Sequence, residues 1–524
     1  MAQPPQRVTK PSWPTDHPRL VMAGLFLVAM VPLMVTPVLP LIDFYDHIAR
    51  FFVLAHVRSD ALLQLYYQAH WVLQPDIGTD LIGAPLLHVL PPLAAAHLMA
   101  AGILAILYGG VLYFNHALTG RASLLVALLL LPLLYSYVFN WGFANFLFSL
   151  GLAFWAAGWW ISQRHRPLLA MPVACMASVI VFLSHGLAFA LYGVIVASLE
   201  IGFFLNAPHR KPYALLRALG LLLLQAVVPV GLFLIWYVHH DPGAPITFSA
   251  GTLFPGGGES APPFHGYHRF STVFRVEEGP FLWLDILTFA LQLFLGAALV
   301  WRKNLDIARP AWLLIAIGSV FIAITPAAMF GVYYIVDRMP LFVMLCLLGA
   351  LSFRPGPWRR ETRAIITALV LIAVARLIAI AWDWRAYDGQ YREFQTIAAR
   401  IPPGSLAMNV MVGSGHHETA VPRCEMYGPL MIALHGQIAP LFAFQGQHPL
   451  LLKGPLKKAV ETLESRVPVP GERARDYRPY IRAAAASGFD YLLVCNAHLL
   501  RHGFPDNVTV MEKTSHFALL KAMK

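Results

Sequence analysis

The sequence is poor in charged residues and rich in long apolar runs. Only 12% of its 524 residues are Asp, Glu, Lys or Arg, whereas soluble proteins carry about 25%. Hydrophobic residues make up 58% of the chain. Leu-rich runs of roughly 20 residues recur before the C-terminal part, and this length crosses a hydrocarbon core about 30 Å thick. The composition excludes a soluble globular protein and predicts a polytopic membrane protein.

Cysteine is scarce as well. The chain has four cysteines and no Cys-x-x-Cys spacing, which argues against zinc-ribbon and thiol redox chemistry. Cys424 and Cys495 lie in the polar C-terminal part and could form one disulfide if that part faces an oxidising compartment. The cluster of His416, His417 and Glu418 is either a metal site or a solvated loop, and we favour the loop. The sequence does not support a divalent metal, so we assign no metal ligands and leave the cofactor unknown.

The apolar runs predict eleven transmembrane helices. They fall at approximately 20–40, 93–114, 122–139, 143–162, 168–184, 187–206, 213–237, 281–300, 311–326, 339–353 and 363–382. Prolines interrupt the first run and no small-x-small cleavage site follows it, so we interpret it as an uncleaved span and not as a signal peptide.

The basic residues predict the orientation of the chain. With the N-terminus in the cytoplasm, sixteen Lys and Arg residues fall in inside loops and five in the longer outside loops. This is a positive-inside pattern, so the net charge of +11 is a topology signal and nucleic acid is not expected as a partner. An odd number of spans then places the C-terminus outside.

The fold class expected from these patterns is an all-α polytopic membrane protein with a small extracytoplasmic C-terminal α/β domain. Residues 1–19 form a cytoplasmic tail, and 20–382 form the transmembrane core with outer loops at 41–92 and 238–280. Residues 383–524 form the outer domain, because "YDGQYREFQTIAARI" has helical periodicity and runs such as "FDYLLVC" are rich in β-forming residues.

The polar residues that lie near membrane depth gather on the predicted outer side. Such residues are costly in a membrane and usually line a cavity or a pathway. We therefore expect an outward-facing cavity formed by some of Asp43, Asp46, His47, Arg50, His70, Asp76, Asp80, Asn140, Asn145, His185, Asp337 and Arg338.

The stretch "LIDFYDHIARFF" after the first span carries the densest part of this set. As a helix, it places Asp43, Asp46, His47 and Arg50 on one face, because their spacing is i, i+3, i+4 and i+7. We predict a short amphipathic helix on the outer surface, with its aromatic residues buried and its ionisable row facing the cavity. A purely structural Asp–Arg pairing on that face stays open.

These residue types suit one kind of chemistry. A carboxyl group beside apolar surface has its pKa raised and can serve as a base near neutral pH. Arginine binds phosphate through its planar guanidinium, which Arg50 and Arg338 could supply. His185, in "LSHGLAF", is either a packing residue or a proton carrier, and Asn140 and Asn145 are either helix caps or ligand contacts.

The order of these features resembles the GT-C superfamily of integral-membrane glycosyltransferases. The resemblance lies in an acidic residue directly after span 1, a multi-span core and an outer C-terminal α/β domain. "DFYDHIAR", "NWGFANFLFSLGLAFW", the "SHG" turn and "DRMP" resemble elements of a group of bacterial membrane proteins with a D-x-x-x-H-x-x-R motif.

The resemblance implies a bacterial inner-membrane enzyme that passes a sugar from a polyprenyl-phosphate carrier to an acceptor outside the membrane. Asp43 or Asp46 would be the general base, His47 and His185 would orient groups or carry protons, and Arg50 and Arg338 would bind the carrier phosphate. Further substrate contacts would come from Asp337, Asn140, Asn145, His70, Asp76 and Asp80. The implied partners are membrane lipid and a lipid-linked sugar.

Three other classes stay open. A lipid-linked saccharide polymerase or ligase would show several arginines in a large outer loop, whereas 238–280 has only Arg269 and Arg275. A transporter of lipid or saccharide would show repeat symmetry, and we find no internal repeat. A non-enzymatic membrane scaffold is the third alternative.

Overall fold

The structure is a computed structural model that describes residues 18–239, 272–326, 334–354, 359–412, 424–441, 448–468 and 476–523. Residues 1–17 of the predicted tail, 240–271 of the predicted outer loop (with Arg269) and the cluster at 416–418 lie outside the described residues.

Long apolar helices dominate the chain up to residue 386. Seven helices among the described residues are long and apolar enough to cross a membrane. Six of them are α6 (Pro92–Thr119), α9 (Ala144–Gln163), α10 (Pro167–Ser184), α11 (Gly186–Asn206), α12 (Pro212–His239) and α13 (Leu282–Trp301). The seventh runs through Arg360–Ala398, where α16 (Arg360–Ala386) is followed by α17 (Asp388–Ala398). The protein is therefore a helical membrane protein.

The other four predicted spans coincide with shorter helices, so the count of eleven stays a prediction. These helices are α1 (Pro18–Ala29) with α2 (Val31–Met34), α7 (Leu124–Leu134) with α8 (Tyr137–Asn140), α14 (Trp312–Ile324) and α15 (Ile335–Ala350). The first apolar run breaks near its prolines because proline lacks an amide proton and clashes with the preceding turn. Strands β2 (Leu305–Ile307) and β3 (Leu351–Phe353) pair at one end of the bundle.

Close packing between α6 and α9 forms the centre of the bundle. A side chain at Gly110 would place its Cβ only 2.4 Å from the carbonyl oxygen of Gly151. Glycine at this crossing lets the two backbones approach, and such contacts stabilise helix pairs where no hydrophobic effect acts between them.

Several short elements lie between the first and second long apolar segments. They are α3 (Phe44–His56), α4 (Ala61–Tyr66), β1 (Tyr67–Ala69) and α5 (Asp80–Val89). Asp60 caps α4 by accepting hydrogen bonds from the amides of Leu62 and Leu63.

The C-terminal residues combine helices with one four-stranded sheet. The strands are β4 (Ala407–Met411), β6 (Tyr491–Cys495), β7 (Val508–Lys513) and β8 (Phe517–Ala522). Their order is β4-β6-β8-β7, with β4 parallel to β6 and the other two pairs antiparallel. The remaining elements are α18 (Tyr427–His435), β5 (Leu450–Leu452), α19 (Gly454–Arg466) and α20 (Arg478–Ala486). Cys424 and Cys495 form a disulfide with a Cα–Cα distance of 5.7 Å.

The C-terminal residues are docked on the loop that follows the first helices. Strand β5 pairs antiparallel with β1, and the Tyr67 hydroxyl donates a hydrogen bond of 2.6 Å to the carbonyl of Ala439. Helix α18 packs directly on α3. These contacts bring the C-terminal residues over the end of the bundle where the polar residues gather.

Candidate functional site

Three short connections meet at one end of the bundle, which we call the site end: loop 75–80, turn 140–142 and turn 184–186. The amide of Gly78 donates to the carbonyl of Leu183 at 2.8 Å, and a Cβ on Gly78 would lie 2.4 Å from Ser184 Oγ. Gly142 has a φ of +82°, and a Cβ there would lie 2.4 Å from the amide nitrogen of Phe44. Only glycine permits both approaches.

Helix α3 differs from the predicted amphipathic surface helix. Asp43 is its N-terminal flanking residue, and most of the helix is buried, including Asp46 and Arg50. The expectation that this helix lies along the outer surface was therefore wrong, whereas its aromatic residues Phe44, Tyr45 and Phe51 are buried as predicted. The physical reason is that α5 covers one side of α3, while α18 from the C-terminal residues covers another, and neither contact could be read from the local sequence.

Arg50 is held by a second residue of the predicted set. Its Nε lies 2.6 Å from Asp80 Oδ1 and its Nη2 lies 3.4 Å from Asp80 Oδ2, with both side chains buried. Nη2 also lies 2.9 Å from His47 Nδ1. Arg50 therefore joins α3 to the start of α5, and this pair is at least partly structural.

Arg338, on α15, approaches His185 between α10 and α11. The distance from Arg338 Nη1 to His185 Nε2 is 3.0 Å, and the guanidinium also lies over the ring of Phe143, 4.2 Å from its centroid. His185 Nδ1 accepts a hydrogen bond from the amide of Leu187. Because a neutral imidazole has one proton, Nε2 carries it and faces the guanidinium as a second donor.

Two carboxyl groups lie near these donors. Burial raises the pKa of Asp43 to about 7, and the positive charge of Arg338 opposes that rise. Burial likewise raises the pKa of Asp76 to about 7, opposed by Arg338 and Arg50. Asp76 Oδ1 has no hydrogen-bond partner among the described residues and lies 3.8 Å from His185 Nε2. Both groups are therefore poised to gain or lose a proton near neutral pH.

A histidine from the C-terminal residues completes the cluster. The rings of His448 and His47 lie 6.4 Å apart, edge to face. Burial lowers the pKa of both rings, and the charge of Arg50 lowers them further. His448 was not in the predicted set, because no local pattern marks it and only the pairing of β1 with β5 brings it here.

The remaining predicted residues have varied surroundings. Asn145 donates to the backbone carbonyl of Asp76 at 3.0 Å and accepts from Thr79, so it holds loop 75–80. Asn140 donates to the carbonyl of Glu278 at 2.9 Å. His70 is exposed, and its amide extends the pairing of β1 with β5, so the structure does not bring it to the site.

Asp46 and Asp337 lie beside the cluster. Asp46 is buried on α3, and its amide donates to the carbonyl of Asp43. Asp337 precedes Arg338 in the first turn of α15.

No group of three or more metal-ligating side chains occurs in the part of the chain that the structure describes. The site is thus one of paired nitrogen donors, poised carboxyl groups and neutral histidines.

Comparison with known proteins identifies the fold. No protein-family model matches the chain, and no curated protein matches its sequence. The architecture nevertheless matches crystal structures of ArnT from Cupriavidus metallidurans. The apo structure is 13% identical in sequence, with a TM-score of 0.52 over 97% of this chain and 98% of that chain.

A second ArnT structure, bound to undecaprenyl phosphate, has 12% identity and a TM-score of 0.53, covering 97% of this chain and 98% of that chain. The chain therefore has the fold of ArnT over nearly its whole length, which agrees with the fold expected from the resemblance to the GT-C superfamily. At this identity the likeness defines the fold, and the chemistry must be argued from the site.

Proposed function

We propose that the protein is a bacterial inner-membrane glycosyltransferase that moves a sugar from a polyprenyl-phosphate donor to an acceptor hydroxyl at the outer face. The GT-C fold supports this proposal, as does the polyprenyl phosphate bound by ArnT, a structure of the same architecture. The donor is assigned to the site end of the bundle, where the poised carboxyl groups gather.

The observation that carries the proposal is the contact between Arg338 and His185. Two nitrogen donors face each other at 3.0 Å, although neither can accept from the other when His185 Nδ1 is occupied by the amide of Leu187. Two converging donors are satisfied when an anionic oxygen binds both, and phosphate oxygens form strong charge-assisted hydrogen bonds with such groups. The phosphate of the carrier lipid is the anion expected here.

Asp43 supplies the base in this proposal. Its carboxyl does not cap α3, so it is available to a ligand, and its raised pKa suits a base at neutral pH. The carboxylate accepts the proton of the acceptor hydroxyl while that oxygen forms a bond to the anomeric carbon. The bond from this carbon to the phosphate oxygen breaks, and Arg338 stabilises the leaving phosphate in an inverting displacement.

The orientation rests on two independent features. The positive-inside distribution of basic residues supports an outer location of the site end. The disulfide between Cys424 and Cys495 belongs to the residues that cover the site end, and disulfides persist in oxidising compartments. In a bacterial inner membrane, that compartment is outside the cytoplasm.

Sugar transfer from labelled lipid-linked donors tests the proposal. Membranes containing the protein receive polyprenyl-phosphate sugars, and the label leaving the lipid pool is measured for wild type, Asp43→Asn and Asp46→Asn. We expect Asp43→Asn to lower the rate by roughly 10²- to 10⁴-fold, the usual contribution of a general base. Full activity in both variants would remove the proposed base.

Asp60→Asn is the matched control, since it makes the same change in the same loop at an exposed helix cap. It should transfer sugar at the wild-type rate. Arg338→Gln should instead weaken binding of undecaprenyl phosphate, measured on the purified protein. Unchanged binding in that variant would contradict the assignment of the phosphate to Arg338.

A further inference from the structure

A second buried ionic cluster lies beside the candidate site, centred on Arg376 of α16. Its Nη1 lies 2.5 Å from Asp285 Oδ1, and its Nε lies 3.2 Å from Glu277 Oε2. Its Nη2 donates to the backbone carbonyl of Glu277 at 2.6 Å. All three residues are at least 95% buried, with exposures of 3%, 5% and 1%. One arginine thus binds two carboxyl groups and the backbone of segment 276–281.

This cluster is costly for the fold. Two carboxyl groups share one guanidinium, and burial raises the pKa of Glu277 to about 7, although Arg376 opposes that rise. Glu277 Oε1 has no hydrogen-bond partner among the described residues. Buried ion pairs are poor sources of stability compared with apolar packing, and an ionisable residue within a membrane-spanning helix usually serves function.

The cluster fixes the backbone of segment 276–281. Asp285 Oδ2 accepts hydrogen bonds from the amides of Gly279 and Phe281 at 2.9 and 3.2 Å, and Gln292 donates to Glu277 Oε2 at 2.9 Å. The segment is therefore held from α13 and α16 together.

Segment 276–281 is also hydrogen-bonded to the turn at 137–142, which contains α8. The amide of Tyr137 donates to the carbonyl of Val276 at 2.9 Å, and Asn140 Nδ2 donates to the carbonyl of Glu278 at 2.9 Å. These two bonds tie the turn to the backbone that Arg376 fixes, one on each side of Glu277.

The turn carries the backbone of Asp43. The amide of Asp43 donates to the carbonyl of Trp141 at 3.0 Å, and the amide of Ile42 donates to the carbonyl of Asn140 at 3.4 Å. Gly142 packs against the amide of Phe44 so closely that no side chain fits between them. A displacement of the turn would therefore displace Asp43.

We propose that Arg376 is a positioning residue for Asp43, acting through segment 276–281 and the turn at 137–142. The inference rests on the proposed function, since it takes Asp43 as the base. Misplacement of a catalytic group by about 1 Å can cost roughly 100-fold in rate, so a loosened turn should lower kcat more than it changes the KM for the donor.

The test is Arg376→Lys, which keeps the charge but loses the fork that binds Asp285, Glu277 and a carbonyl together. We expect kcat for sugar transfer from labelled polyprenyl-phosphate donors to fall by roughly 10- to 100-fold, with KM changed less than threefold. Arg164→Lys is the matched control, because Arg164 also pairs with a buried carboxyl group, that of Glu200. Arg164 follows α9 at the end opposite the site end, about 30 Å away along that helix. The control variant should leave kcat unchanged.

Hydrogen–deuterium exchange gives a readout that needs no substrate. In Arg376→Lys the amides of 137–143 and 42–47 should exchange faster than in wild type, whereas Arg164→Lys should leave both segments unchanged. Asn140→Ala removes the bond to Glu278 without altering the charges of the cluster, and it should reproduce the fall in kcat even where Arg376→Lys does not fold.

Wild-type kcat in folded Arg376→Lys, or in Asn140→Ala, would overturn the positioning role. So would unchanged exchange in both segments. The proposed function fails by a different result, which is the absence of sugar transfer from lipid-linked donors by the wild-type protein, whereas full activity in Asp43→Asn would remove only the assignment of Asp43 as the base. An inactive Asp43→Asn together with fully active Arg376→Lys and Asn140→Ala would leave the base in place and remove only the link from Arg376.

Discussion

The two ends of α9 hold carboxyl groups in opposite circumstances. Beyond its C-terminal end, Glu200 accepts from Trp160 Nε1 at 3.0 Å through Oε1 and from Arg164 Nη2 at 3.2 Å through Oε2. At its N-terminal end, Asn145 holds the backbone of Asp76, yet Asp76 Oδ1 has no hydrogen-bond partner in the described part of the chain.

The backbone of Asp76 adds to this contrast. Its φ is +71°, in the left-handed region that non-glycine residues seldom adopt. Strained residues and unsatisfied buried groups lower stability and tend to gather at functional sites. Glu200 therefore has both carboxyl oxygens hydrogen-bonded within the fold, whereas Asp76 at the site end keeps an oxygen that a ligand can bind.

The largest expected effect is a loss of activity without a loss of stability, in a variant of Asp76. Asp76→Asn should lower the rate of sugar transfer roughly 100-fold, since the carboxyl group that faces His185 Nε2 at 3.8 Å can then no longer exchange a proton at the site. It should leave the thermal midpoint unchanged or higher at pH 8, because the raised pKa of Asp76 means that burial disfavours its charged form. Transfer assays and thermal unfolding of the purified variant measure both quantities.

Glu200→Gln is the opposite case. The neutral amide loses the charge-assisted hydrogen bond that Glu200 accepts from Arg164. The variant should therefore have a free energy of unfolding lower by about 1–3 kcal/mol, with kcat per folded molecule unchanged. If Asp76→Asn lost stability while keeping its activity, the two ends of α9 would not differ as argued.

The membrane architecture was largely predictable from the sequence. Apolar runs depend on local composition, so seven of the eleven predicted spans coincide with the seven long helices, whereas the ArnT-like fold was expected from the motif resemblance and not from composition. The first span was less predictable, because Pro32 allows α1 and α2 to break where a uniform apolar run suggests one helix.

The site was predictable only in part. Asp43, Asp76, His185 and Arg338 stood out as polar residues at predicted membrane ends, and the structure brings them together. His448 and the burial of α3 depend on contacts made by the C-terminal residues, which no local pattern encodes. Arg376 did carry a signal, since it lies inside a predicted span, but its partner Glu277 lies in a segment that no periodicity marks.

The rate of sugar transfer should depend on pH through the carboxyl groups of the site end. Asp43 acts as a base only when ionised, and its pKa is about 7, so kcat/KM should fall about tenfold per pH unit below that value and level off above it. Asp76 has a similar pKa, so the limb reports the two groups together. Rates measured between pH 5.5 and 8.5 test this, and a flat profile would contradict it.

The smallest effect concerns stability at the site end. The pKa of Glu277 is raised to about 7 in the folded protein, so between its ordinary value and 7 the folded state binds more protons than the unfolded state. Stability contributed by the protonated group is therefore lost as pH rises. Glu277→Gln stays neutral, so its thermal midpoint should exceed that of wild type by a few degrees at pH 8 and match it at pH 5. Thermal unfolding at both pH values measures the difference, and an equal loss of stability at both would show that Glu277, like Glu200, serves the fold as a charged partner.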